Sequence, residues 1–66
     1  MATVKVLELL SSSNKSWTDA VEQAIKKASK SLRGIKSANI QNMGVTVENG
    51  KIKEYRVNVK LTFELE

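Results

Sequence analysis

From Ile52 to Leu65 an apolar residue returns at almost every second position, through Tyr55, Val57, Val59, Leu61 and Phe63, while Arg56, Asn58, Lys60, Thr62 and Glu64 stand between them. A period of two puts the two sets on opposite faces of a β-strand, one built for burial and one for water or a polar partner. Just before this strand lies Glu48-Asn49-Gly50-Lys51, and an Asn-Gly pair tolerates the positive φ angles of a tight hairpin turn. The strand is therefore expected to fold back on residues 38 to 48. In that segment Ala38 and Ile40 hold one phase and Met43, Val45 and Val47 the other, a switch that predicts a bulge or bend near Gln41-Asn42.

Upstream, residues 3 to 10 (Thr-Val-Lys-Val-Leu-Glu-Leu-Leu) are rich in β-branched and aliphatic types and predict a first strand with apolar residues on both faces. Ser11-Ser12-Ser13-Asn14 breaks that pattern and offers helix N-caps; Ser13 or Ser16 can fill the role, and Ser16 has Asp19 three residues on, close to a capping box. Next, Trp17, Ala20, Val21, Ala24, Ile25, Ala28 and Leu32 recur at spacings of three and four, one stripe of a helix turned toward a sheet. Glu22, Gln23, Lys26, Lys27, Lys30 and Arg33 fill the other side. Asp19 and Glu22 come early and Lys30 and Arg33 late, as the helix dipole favours. Gly34 is a natural C′ residue, so the spacing predicts a helix over about 14 to 33.

The order is thus β-α-β-β within one domain spanning 1–66, an α+β fold. A right-handed crossover makes the first two strands parallel in direction, and the third fits between them, antiparallel to both. One helix wrapped by a three-stranded antiparallel sheet is the expected architecture. A chain of this size buries roughly 60% of its unfolded surface, near the lower limit for independent stability. Small folds gain support from disulfides, a structural metal or oligomerisation. With no Cys and no His, disulfides and the usual zinc ligands are absent, which leaves assembly as the expected support.

Met1-Ala2-Thr3-Val4-Lys5 has no basic stretch leading into an apolar run, so no secretory signal is expected. No apolar run approaches the roughly 20 residues of a membrane span. The expected location is cytoplasmic, in keeping with a reducing compartment. The net charge of +4 comes from basic residues spread along the chain, and the three aromatics are not interleaved with them in an RNA- or DNA-reading pattern, so a solvated helix face is expected and no nucleic-acid or membrane partner.

Catalytic chemistry finds little here. Without His or Cys the commonest general base and the strongest nucleophile are missing, and Ser11, Ser12, Ser13 and Ser16 read as capping residues. No loop alternates Asp and Asn as a dedicated calcium loop does, and Glu8, Glu48, Glu54, Glu64 and Glu66 read as strand-face carboxylates. Gly44 marks strand distortion or close approach, and Gly50 the turn. Trp17, Tyr55 and Phe63 belong to core or subunit contacts.

The opening Val4-Lys5-Val6, the helix Ala20-Val21-Glu22-Gln23-Ala24-Ile25, the segment Lys30-Ser31-Leu32-Arg33, Lys53-Glu54-Tyr55 and the tail Phe63-Glu64-Leu65 together resemble the dodecins over nearly the whole chain. The resemblance implies hollow homododecamers of β-α-β-β subunits that bind flavin for storage or buffering and are not enzymes. It places the family's flavin-stacking Trp at Ser37 and its ring-edge Gln at Arg56. Both have changed, which implies that flavin binding is lost or weakened and leaves a shell for another small ligand. Ser16-Trp17 at the helix start resembles a branch of the family associated with calcium. Cation binding, or a purely structural assembly, is therefore the alternative reading, and a flavin-binding dodecin with an altered site a further one.

Overall fold

Val57, Val59 and Leu61 alternate along one strand, and each has no more than 2% of its surface exposed. Ala20 and Ala24 of the single helix pack on Val57 and Val59, with Leu9, Val21 and Ala38 around them. The small alanine side chains let the helix lie close against the β-branched strand face. The computed structural model describes residues 3–65 and orders them as β1 (Val4–Ser13), α1 (Trp17–Ala28), β2 (Ile35–Glu48) and β3 (Lys51–Glu64). The sheet order is β1-β3-β2, with β3 antiparallel to both neighbours. This is the α+β architecture that the hydrophobic pattern predicts.

The hairpin and the bulge also fall where expected. Asn49 and Gly50 take φ values of 53° and 74°, and the β2–β3 register shifts between Ile40 and Asn42. Two boundaries differ from the sequence reading. The serines 11 to 13 continue β1 and do not break it, because their hydroxyls find tertiary partners: Ser11 Oγ donates to the Ala20 carbonyl at 2.8 Å and Ser13 Oγ to Asp19 Oδ2 at 2.6 Å. The helix is shorter than residues 14 to 33. It starts at Trp17, capped by Ser16 Oγ accepting from the Asp19 amide at 2.9 Å, and ends at Ala28 with Ser29 as C-cap, after which tighter turns carry the chain to Leu32. Gly34, with φ 71°, leads into β2, and its carbonyl accepts from the Glu64 amide at 3.0 Å.

The helix packs mainly on β1 and β3 and only grazes β2. Ile40, Met43, Val45 and Val47 on β2, and Ile52 at the hairpin, consequently stay exposed in the subunit. Its shape is elongated, 49 × 20 × 13 Å with a radius of gyration of 13.4 Å, where a compact chain of this length has about 11 Å. Its accessible surface is 4991 Å², against about 4,200 Å² for a compact monomer of this mass. Among the described residues no helix is long and apolar enough to cross a membrane.

Candidate functional site

Residues directly opposite one another across paired strands share a sheet face. Since Val57, Val59 and Leu61 face the helix, the intervening Arg56, Asn58, Lys60 and Thr62 face the other way, onto a surface that no element among the described residues covers. Arg56 stands opposite Ser12 of β1 and Gly44 of β2, Asn58 opposite Leu10 and Asn42, and Thr62 opposite Val6 and Ser37. The bulge after Ile40 decides this arrangement. Without the extra residue, Asn42 and Gly44 would follow Ile40 onto the helix side; with it, they join Asn58 and Arg56 on the free face.

Ser37 and Arg56 thus lie on one face but are not brought together. Ser37 is hydrogen-bonded to the Thr62 hydroxyl. Arg56 sits six residues along β3 from Thr62, about 20 Å at the rise of an antiparallel strand. A single small ligand can touch both positions only if they come from different subunits.

Around Arg56 the free face holds a cavity of about 250 Å³, lined by Leu10, Asn42, Gly44 and Asn58 among others. A Cβ built on Gly44 would meet nothing within 4 Å, so the missing side chain leaves open space beside the guanidinium. Asn58 Oδ1 and, further along, Thr46 Oγ1 are buried without a hydrogen-bond partner. The sequence reading singled out Arg56 but not Asn42 or Asn58. The phase switch it noted was the available signal, since the same switch that turns Met43 and Val45 inward turns Asn42 and Gly44 outward.

On the helix side, Trp17 meets Tyr55 edge-on, ring centroids 5.0 Å apart, and its Nε1 donates to the Gly44 carbonyl at 3.0 Å. Trp17 remains 36% exposed. Phe63 lies half-buried at the far end of β3, opposite Lys5 and Ile35. With one hydrogen bond and one edge-on aromatic contact to lose, Trp17→Ala is expected to cost about 1–3 kcal/mol, measured by urea denaturation. A cost of about 3–5 kcal/mol, that of a fully buried Trp, would mean that a neighbouring subunit covers its open face.

A larger open groove of about 790 Å³ runs between α1 and the edge strand β1, with Leu7 and Leu9 at its apolar end and Ser13, Asn14, Asp19 and Gln23 at its polar end. Its polar groups answer each other. Ser13 Oγ accepts from the Lys15 amide at 2.9 Å while donating to Asp19, and these bonds staple the strand to the helix start. Among the described residues, no three of Asp, Glu, His or Cys gather where they would hold a metal.

A family model described as Dodecin matches residues 3–66. Among solved structures, the dodecin of Streptomyces coelicolor is 29% identical, with 98% of this chain and 93% of that chain covered at a TM-score of 0.94. A point mutant of the T. thermophilus dodecin is 27% identical over 100% of this chain and 98% of that one, at a TM-score of 0.94. The calcium dodecin of Mycobacterium tuberculosis, a calcium-chelating antigen with a calcium-binding site, is 27% identical over 98% and 93% of the two chains, at 0.84. No curated protein matches.

Proposed function

The chain belongs to the dodecin family, and from that premise we propose that it builds a non-enzymatic, cytoplasmic homododecameric shell that binds and stores a small ligand, with the family's flavin affinity lost or much reduced. The observation that carries this reading is the pairing of the Ser37 and Thr62 hydroxyls. At the position that the resemblance gives to an aromatic platform, this chain has a short polar side chain already engaged with its neighbour. Arg56, at the ring-edge position, offers a cation where the family has an amide. Ser37 supplies no face for an isoalloxazine ring to stack on, and Arg56, whose planar guanidinium can stack on a ring or hold a phosphate, makes a different kind of site.

Assembly is supported by the shape of the subunit. Exposed Ile40, Met43, Val45 and Val47 form a strip that one helix cannot reach, and burying such side chains against neighbours removes apolar area from water at roughly 25 cal/mol per Å². Light scattering at micromolar concentration is expected to give a particle of twelve 7.3 kDa chains. A monomer would overturn the shell. The purified protein is expected to be colourless and to leave riboflavin fluorescence unquenched, and a yellow preparation with flavin absorbance would overturn the proposed loss of affinity.

The alternative of cation binding draws on the similarity to the mycobacterial calcium dodecin. Calorimetric titration of the assembled particle with calcium separates the two readings.

A further inference from the structure

We infer that Asn49, at the tip of the β2–β3 hairpin, is a site of spontaneous covalent modification, where the side-chain amide converts in water to aspartate and isoaspartate without an enzyme. The first step is intramolecular. The Gly50 backbone nitrogen gives up its proton and bonds to the Asn49 amide carbon, while the side-chain nitrogen takes up a proton and leaves as ammonia. A five-membered imide remains. Water then adds to one of its two carbonyls and breaks that carbon's bond to the ring nitrogen. Opening at the side-chain carbonyl gives aspartate; opening at the backbone carbonyl gives isoaspartate, whose main chain runs through the former side chain. Water is the one co-reactant and ammonia the leaving group.

Sequence and fold both single out this position. Of the five asparagines, Asn49 alone precedes glycine; Asn14, Asn39, Asn42 and Asn58 precede Lys15, Ile40, Met43 and Val59. A Cβ on the following residue crowds the attacking nitrogen, and glycine has none. Carrying the nucleophile on the next residue makes the attack unimolecular, which lets a weak nucleophile react. Asn39, Asn42 and Asn58 lie within paired strands, whereas Glu48 and Lys51 close the hairpin ladder and leave Asn49 and Gly50 outside it, both exposed. Among the described residues no turn hydrogen bond engages the Gly50 amide and no side-chain bond holds Asn49. A Cβ built on Gly50 would meet nothing within 4 Å, so the tip is open to water.

The products differ in what they do to the hairpin. Both place a carboxylate beside Glu48, which is paired with Lys53 at 2.9 Å, and lower the formal charge of +4 by one. Isoaspartate also adds a methylene to the backbone of the loop, whose φ angles of 53° and 74° match the twist of the strands it joins. That lengthening breaks the Glu48–Lys51 closure and frees the register of Val47 and Ile52, the exposed apolar residues next to it. Modification therefore loosens the end of the subunit farthest from its helix-covered core.

The test uses the full-length folded protein, held at mildly alkaline pH and then mapped by mass spectrometry, where conversion adds about one mass unit to the peptide carrying Asn49. Asn49 is expected to convert at least about tenfold faster than Asn14, which lies outside the strands and the helix but precedes a lysine, and to convert faster as pH rises. Asn49→Asp carries the new charge without the longer backbone. It should melt close to the parent, and the aged protein, containing isoaspartate, should melt below both. Conversion in the urea-unfolded chain but not in the folded protein would show that the turn holds the amide out of reach and would overturn the site. Asn14 converting as fast as Asn49 would overturn the selectivity, and an aged protein that melts with Asn49→Asp would overturn the loosening of the hairpin.

Discussion

Leu61→Ala is expected to destabilise each subunit by about 2–5 kcal/mol, the range for removing a buried Leu side chain from a packed core. Leu61 is fully buried and lies on the central strand between Leu7 and Ala38, so no neighbouring strand can close the gap without giving up its own ladder. For a domain of this size each 1 kcal/mol moves the melting temperature by about 4–8 °C. A fall of at least about 8 °C should therefore be visible by calorimetry. Ile52→Ala provides the contrast. Ile52 is 53% exposed beside the hairpin turn, and in an isolated subunit its loss should stay within about 0.5 kcal/mol. Were Ile52→Ala to cost as much as Leu61→Ala, the hairpin would be buried by assembly. An unmoved melting temperature for Leu61→Ala would mean that the core does not lie between β3 and the helix.

The sheet was legible because its signals are local. The alternation from Tyr55 to Phe63 names the buried face of β3 unaided, and Val57, Val59 and Leu61 are the fully buried large residues. Asn49-Gly50 marks a turn whose positive φ angles few other pairs accept. The phase switch before Met43 marks the bulge, because a period of two cannot change face without an extra residue. The two departures from the pattern depend on tertiary partners. Ser11 and Ser13 have poor strand propensity, yet they extend β1 because the helix start answers their hydroxyls, and nothing in a run of three serines announces that. The apolar spacing overstates the helix because Leu32 keeps it for one further turn after Ala28, although the backbone there has already tightened.

The free face was legible in part. Arg56 and Ser37 were singled out by resemblance, and pairing then placed them about 20 Å apart, which no periodicity reveals. Asn58 reads in sequence as one polar member of an alternating strand. Its significance comes from what lies across from it: Asn42, delivered there by the bulge, and Leu10, neither of which partners the buried oxygen. Burial without a partner is a property of the folded face alone.

The double substitution Ser37→Trp with Arg56→Gln is expected to raise riboflavin affinity at least tenfold over the parent, about 1.4 kcal/mol. Aromatic stacking contributes roughly 0.5–1.5 kcal/mol beyond the area it buries, and the ring-edge amide adds a hydrogen bond of about 0.5–1.5 kcal/mol, so the two together are sufficient for the gain. The two positions face the same side of the sheet but are too far apart for one ring system to touch both within a subunit. The gain therefore requires the assembled particle. Riboflavin quenching by the double variant should be lost when the particle is dissociated, and each single variant should give less than the pair. Ser37→Trp also releases the Thr62 hydroxyl, which sits on the open face where water can replace the lost bond, so the variant should fold. A double variant that assembles normally yet quenches no better than the parent would mean that the backbone around Ser37 has diverged as well as its side chain.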